Sequence, residues 1–153
     1  PRLNSSAASD VYKRQGIAGD DTHGHIDDIA RFVKSNKVFL AYENNKKDKN
    51  FKNLDENFKI LKKIRINSSQ IRIKKIPMPR AIYINKIRVP ASYLNFYIFN
   101  KFVLLPTFND PKDKIVIKIF KKEFNNRKII PINCSELIWG FGAIHCLTQQ
   151  EPK

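Results

Sequence analysis

The stretch Ile29 to Tyr42, IARFVKSNKVFLAY, decides the fold, because its pattern returns further along as Tyr93 to Leu105, YLNFYIFNKFVLL. Each is an apolar run, a short polar break and a second apolar run, which is the pattern of a β-hairpin. In the first, Ile29 to Val33 reads as one strand, Ser35-Asn36 as the turn and Lys37 to Tyr42 as the partner strand. In the second the strands are Tyr93 to Phe99 and Phe102 to Leu105, turning at Asn100. Both hairpins carry an Asn-Lys pair at the turn, Asn36-Lys37 and Asn100-Lys101.

The chain after each hairpin also repeats. Beyond the polar run Glu43 to Asn50, the residues Phe51, Leu54, Phe58, Leu61 and Ile64 recur at three- and four-residue spacing, one face of a helix. Asp55 and Glu56 lie toward its start and Lys62 and Lys63 at its end, as the helix dipole prefers. A β-branched run, Ile71 to Ile76, then stops at Pro77 and Pro79. The second hairpin is followed by a helix over about Pro111 to Phe124 and a strand from Lys128 to Ile132, ending at Asn133. The unit strand, strand, helix, strand is thus used twice, an α/β repeat of about 60 residues. One such unit cannot bury its own apolar faces, so neighbours are required.

Bulk properties narrow the function. A chain of 153 residues that is 42% hydrophobic makes one domain rather than two. No apolar run approaches a membrane span and no basic start leads into an apolar core, so neither a membrane helix nor a secretory signal is expected. A cytoplasmic setting is the default, and Cys134 and Cys146 form neither a disulfide framework nor a C-x-x-C pair. The net charge of +15 suggests an anionic partner at first sight. The basic cluster from Lys59 to Lys75 is interleaved with Ile instead of stacking aromatics, so it reads as a solvated face and no nucleic-acid partner is expected.

Residues 1–15 stand apart. Ser5 to Gln15, SSAASDVYKRQ, is the translation, without a mismatch, of a common transposase sequencing adaptor. The segment is expected to be a disordered artefact, with natural sequence from about Gly16 and the upstream part of the gene missing.

Two places concentrate reactive side chains. Asp20 to Asp28, DDTHGHIDD, gathers two of the three histidines among four carboxylates. If extended, His23, His25 and Asp27 share one face and Asp28 takes the other. Three readings are open: a metal site, which lacks partner ligands elsewhere in the chain; a polar turn satisfying backbone groups; or one half of a site completed by the C-terminal segment. That segment, Trp139 to Gln150, reads WGFGAIHCLTQQ, with two glycines just ahead of Cys146 to allow close approach of the backbone. Cys146 alone reads equally as a buried small hydrophobe, as does Cys134. On an extended segment His145 would face away from Cys146, leaving His25 as the better base.

The strings GHIDDIARF (Gly24 to Phe32), PASYLNFYIFN (Pro90 to Asn100), VLLPTFNDPKDK (Val103 to Lys114) and IHCLTQQEP (Ile144 to Pro152) resemble, in the same order, the second half of agmatine deiminase and of its relatives, the bacterial peptidylarginine deiminases. The resemblance implies an α/β pentein propeller, of which residues 16–153 would supply about two of five blades. It places the family's H-x-D pair on His25 and Asp27 and its cysteine nucleophile on Cys146, with Asp27 also gripping substrate. It implies no metal and no organic cofactor, and a small guanidinium substrate, agmatine, hydrolysed to N-carbamoylputrescine and ammonia in polyamine synthesis. Because the family's upstream carboxylates have no counterpart here, the chain by itself is expected to be inactive. The run Gly140-Phe141-Gly142-Ala143 departs from the family's usual Gly-Gly-Gly-Asn, which leaves peptidyl-arginine or another guanidine open as substrate. A non-catalytic pentein module that binds ribosomes is the alternative of another class. Asn95 is read as tying down a turn, and the oligomeric state is left open, a homo-oligomer of the full-length protein included.

Overall fold

The computed structural model describes residues 16–20, 24–66 and 68–151. The segment read as adaptor-encoded and His23 lie outside the described residues. A single helical turn, α1 (Ile26–Ile29), leads into β1 (Ala30–Lys34) and β2 (Lys37–Tyr42), which form the first hairpin. The helix α2 (Phe51–Leu61) comes next. It is succeeded by a two-residue ladder of β3 (Arg65–Ile66) with β4 (Ser69–Gln70), and then by β5 (Arg72–Pro77). Strand β5 pairs parallel with β2, giving a three-stranded sheet in the order β1-β2-β5. The second unit repeats this. Strands β8 (Tyr97–Phe99) and β9 (Phe102–Thr107) form a hairpin, α3 (Lys112–Glu123) crosses over, and β10 (Lys128–Asn133) pairs parallel with β9. Both units therefore have the second hairpin strand at the centre, as a helical crossover onto a parallel strand requires. Central strands are covered on both faces, which is why KVFLAY and FVLLPT are nearly continuous apolar runs.

The two units share one core. Phe39 of β2, Phe96 ahead of β8, and Phe120 and Phe124 at the end of α3 pack edge to face, with Phe39 and Phe96 at 5.1 and 5.0 Å from Phe120 between ring centroids. Lys34 and Lys37 at the first hairpin both pair with Glu123 at the end of α3. The need for a neighbour, argued from the repeat, is met here by one unit packing on the other. Lys75 illustrates how the basic face is used: its ammonium lies 3.6 Å from the Tyr42 ring centroid and 3.7 Å from that of Phe58. Among the described residues no helix is long and apolar enough to cross a membrane.

Some local expectations need correction. Helix α2 stops at Leu61, so Ile64 falls beyond it and is 40% exposed. Tyr93 to Phe96 is not strand: Tyr93, Leu94, Asn95 and Phe96 are all buried, whereas a strand would send alternate side chains to opposite faces. Between the units lies a further hairpin, β6 (Tyr83–Ile84) with β7 (Ile87–Arg88), turning on Asn85 and Lys86 at φ of 47° and 68°. The Asn-Lys pair at residues 100–101 forms the turn itself, but at residues 36–37 Asn36 closes the turn and Lys37 begins β2, so the two pairs are offset by one position.

Candidate active site

The first half of the site is built by α1 and the residue before it. His25 precedes the helical turn and its backbone N–H donates to Asp20 Oδ2 at 2.6 Å, while Asp27 and Asp28 occupy the first turn. His25 keeps extended backbone, but from Ile26 on the chain is helical rather than extended. The two carboxylates still part company: Asp28 is buried, and Asp27 is half-buried at the surface where His25 is exposed.

The second half comes from the chain end. Of the two glycines ahead of the cysteine only Gly142 is needed for space. A Cβ there would stand 2.7 Å from Cys146 Cβ and 3.0 Å from its Sγ, whereas at Gly140 it would meet nothing within 4 Å. The left-handed residue that turns the chain is Phe141, at φ 59°, a conformation costly for a side chain of that size. His145–Leu147 then forms a turn of 3-10 helix, so the expectation drawn from an extended segment fails. His145 does not face away: its Nδ1 lies 2.8 Å from Asp27 Oδ2.

The halves meet. A ring nitrogen of His25, a carboxylate oxygen of Asp27 and Cys146 Sγ all lie within 4.8 Å of one another. The Cys146 thiol points to Asp27 Oδ2 at 3.5 Å. Asn95, expected to fasten a turn, instead lies at the centre of this cluster and is fully buried. Its Nδ2 is placed to donate to Cys146 Sγ at 3.0 Å, Asp28 Oδ1 at 2.9 Å and Asp27 Oδ2 at 3.2 Å. Its Oδ1 accepts the backbone N–H groups of His145 at 2.9 Å and Cys146 at 3.3 Å. The signal for it is faint, a single amide inside an otherwise apolar run, and nothing local says that the run bends toward a cysteine fifty-one positions away. Imidazole, carboxylate and thiol at this spacing can move protons and present a sulfur nucleophile, and they are also donors that a zinc-like cation accepts. Cys134 is fully buried, with its Sγ 3.4 Å from the Ile132 carbonyl, as a packing residue would be.

Electrostatics separate the roles. Burial raises the Asp27 carboxyl, but hydrogen bonds with His145 and Cys146 outweigh it and hold the group below the usual carboxylate range. Burial and the neighbouring Asp27 charge push Asp28 up to about 8, against the hydrogen bond from Asn95. Burial likewise raises the Cys146 thiol; the hydrogen bond from Asn95 lowers it, and the charges of Asp27 and Asp28 add to the rise. Raised above its ordinary value despite the Arg31 charge within reach, Cys146 keeps its proton at neutral pH.

Asp28 gives a stability prediction. Its folded pKa lies above the ordinary 3.8, so the folded state binds more protons than the unfolded one between those limits. Stability from this group is complete below pH 3.8 and is lost as pH rises toward about 8. The groups acting on it are Asp27, Asp20, Arg31 and Asn95. Asp28→Asn, which keeps an acceptor for Asn95 Nδ2, should remove that slope. Urea midpoints measured from pH 4 to 9 should fall less for the variant, with a difference on the order of 5 kcal/mol across the window. Parallel curves would show that Asp28 is ionised in the folded protein.

Comparisons with known proteins bear on the whole of this arrangement. The sequence model of the Porphyromonas-type peptidyl-arginine deiminases matches residues 7–152, beginning inside the stretch read as adaptor-encoded. A Legionella pneumophila protein provisionally named agmatine deiminase is 35% identical over 145 residues, covering 94% of this chain and 42% of its own length. Among solved structures, a Porphyromonas gingivalis protein provisionally called an arginine deiminase superposes with a TM-score of 0.89 at 33% identity, over 99% of this chain and 48% of its own. The agmatine deiminase of Enterococcus faecalis superposes with a TM-score of 0.82 at 29% identity, over 89% and 43%. The chain thus spans less than half the length of each, and its two units correspond to part of an α/β propeller of the pentein type.

Proposed function

The chain belongs to the Porphyromonas-type peptidyl-arginine deiminase family, and from that premise we propose that it carries the cysteine-bearing part of a site that hydrolyses a guanidinium group. The observation that carries this reading is the convergence of His25, Asp27 and Cys146 within 4.8 Å, from opposite ends of the chain. Agmatine is the proposed substrate, because proteins of that name from Legionella and Enterococcus are among those it is similar to.

A guanidinium is resonance-stabilised and a poor electrophile, so its carbon must be held beside the sulfur by carboxylates that grip its N–H groups. A carboxylate offers about four acceptor sites, so Asp27 can hold His145 and still take a guanidinium N–H. The arriving cation counters the negative charge of Asp27, which adds to the burial that keeps the Cys146 thiol protonated, so substrate itself favours the thiolate. The thiol passes its proton to His25, and the thiolate so formed adds to the guanidinium carbon. His25 protonates the departing nitrogen, a C–N bond breaks and ammonia leaves a thiouronium on Cys146. Water then gives a proton to His25 and adds to the same carbon, and the C–S bond breaks to release the ureido product, N-carbamoylputrescine from agmatine. The remaining carboxylates for this grip would come from sequence that the longer relatives have and this chain lacks. No metal or organic cofactor enters the scheme. A cytoplasmic setting accords with two free cysteines.

The test is ammonia release by a chain extended to the length of its relatives, with agmatine, free arginine and a peptidyl-arginine compared. Agmatine should have the highest kcat/KM. Preference for peptidyl-arginine would move the substrate to that class. Release from none of them, together with ribosome binding, would replace catalysis with a binding role.

A further inference from the structure

The backbone on either side of Asn95 is not held by a sheet. Strand β8 begins only at Tyr97, and residues 93–96 form a turn and irregular chain within the core. Yet Asn95 is asked to be exact, since its one amide touches Asp27, Asp28, Cys146 Sγ and the backbone N–H groups of both His145 and Cys146. Among the described residues its own main chain is tied only to the Ser92 carbonyl, through its N–H at 3.4 Å, and to the His145 N–H, which its carbonyl accepts at 3.1 Å, so the neighbouring carbonyls need a further partner. Arg31, on β1, reaches across from the other repeat unit. Its Nη1 donates to the carbonyl of Leu94 at 3.3 Å and to that of Phe96 at 3.0 Å, the residues on either side of Asn95. Its guanidinium lies 4.7 Å from the centroid of the Phe96 ring.

We infer that Arg31 is a positioning residue: it clamps the carbonyls of the two residues on either side of Asn95 and so holds the amide that sets the orientation of Cys146. This deepens the deiminase reading and rests on it for its relevance to turnover, but the clamp itself can be read without substrate. A planar guanidinium suits the task because one fixed fork can serve two carbonyls while its face stacks on an aromatic ring. Its charge is also close enough to act on Asp27, Asp28 and Cys146. Because Arg31 lies two positions beyond α1, the same short segment that carries Asp27 and Asp28 also fixes the loop they bond to.

The measurement is the rate of Cys146 alkylation by iodoacetamide against pH, followed by peptide mass spectrometry, with buried Cys134 as the internal reference. Arg31→Met should slow alkylation of Cys146 at pH 8 by about 10-fold, the loss expected when a hydrogen bond to an ionised group is no longer held in place. It should also move the profile to higher pH. Arg31→Lys keeps the charge but not the fork and should fall between. In an Asn95→Ala background Arg31→Lys, which keeps the charge that acts on Cys146 directly, should add little, because the group it positions is gone. A role in stability alone predicts a lowered unfolding midpoint with a wild-type alkylation profile. That result, or additive effects in the double variant, would overturn the inference. If Arg31→Met does not fold, Arg31→Lys decides, and a wild-type profile for it would likewise overturn the clamp. Failure of the deiminase reading would appear separately, as wild-type protein of full relative length that releases no ammonia.

Discussion

In protein extended to the length of its relatives, to which the kinetic predictions apply, Cys146→Ser should lower ammonia release by at least about 10³-fold while leaving the unfolding midpoint nearly unchanged. The two effects separate because Cys146 is held at the surface of the core and not within it. Its neighbours are polar, with the Asn95 amide at 3.0 Å and the Asp27 carboxylate at 3.5 Å, and a hydroxyl can take up both contacts. What serine cannot supply is the nucleophile. A hydroxyl is far harder to ionise than a thiol, and the arriving cation that tips Cys146 into its thiolate has too little effect on it. The measurement is kcat for both proteins beside thermal unfolding followed by circular dichroism. Turnover within tenfold of wild type would remove Cys146 from the chemistry.

Asp27→Asn should lower kcat/KM by about 10²- to 10⁴-fold, the range for removing one partner of a desolvated charge pair. Three donors converge on a single oxygen of Asp27, from His145 at 2.8 Å, Asn95 at 3.2 Å and Cys146 at 3.5 Å. An amide there keeps the shape and loses the charge that a guanidinium would face. KM should rise along with the fall in kcat, because the grip acts on bound substrate as well as on the transition state. Alkylation of Cys146 should move the opposite way. Burial is the main reason the thiol is held up, but the Asp27 charge adds to it, so the variant should alkylate faster at neutral pH even as turnover drops. An unchanged KM would mean that Asp27 orients His145 and Asn95 and does not touch the substrate.

The parts of this protein that are legible in its sequence are those governed by short-range periodicity. The hairpins, both crossover helices and the parallel strands come from apolar spacing and turn residues, because central strands such as β2 and β9 are apolar on both faces while helices such as α2 are apolar on one. The hairpin at Tyr83 to Arg88 has the same alternation and an Asn-Lys turn, but strands of only two residues are too short for a period to stand out. The site is legible in part. His25 and Asp27 stand two apart and Cys146 comes after a glycine that has to be small, so each leaves a local mark. Asn95 leaves only a lone amide in an apolar run and Arg31 leaves nothing, since their partners lie on the other repeat unit or at the chain end. His145 defies the extended-chain expectation because a turn of 3-10 helix brings its ring onto Asp27.

The proposed chemistry turns on one step, a carbon–sulfur bond forming at a single cysteine. Protein extended to the length of its relatives, mixed with excess agmatine and quenched in acid during turnover, should yield a Cys146 peptide heavier by agmatine less ammonia, with Cys134 unmodified. Quenched samples that release ammonia at the full rate yet never carry mass on Cys146 would contradict it.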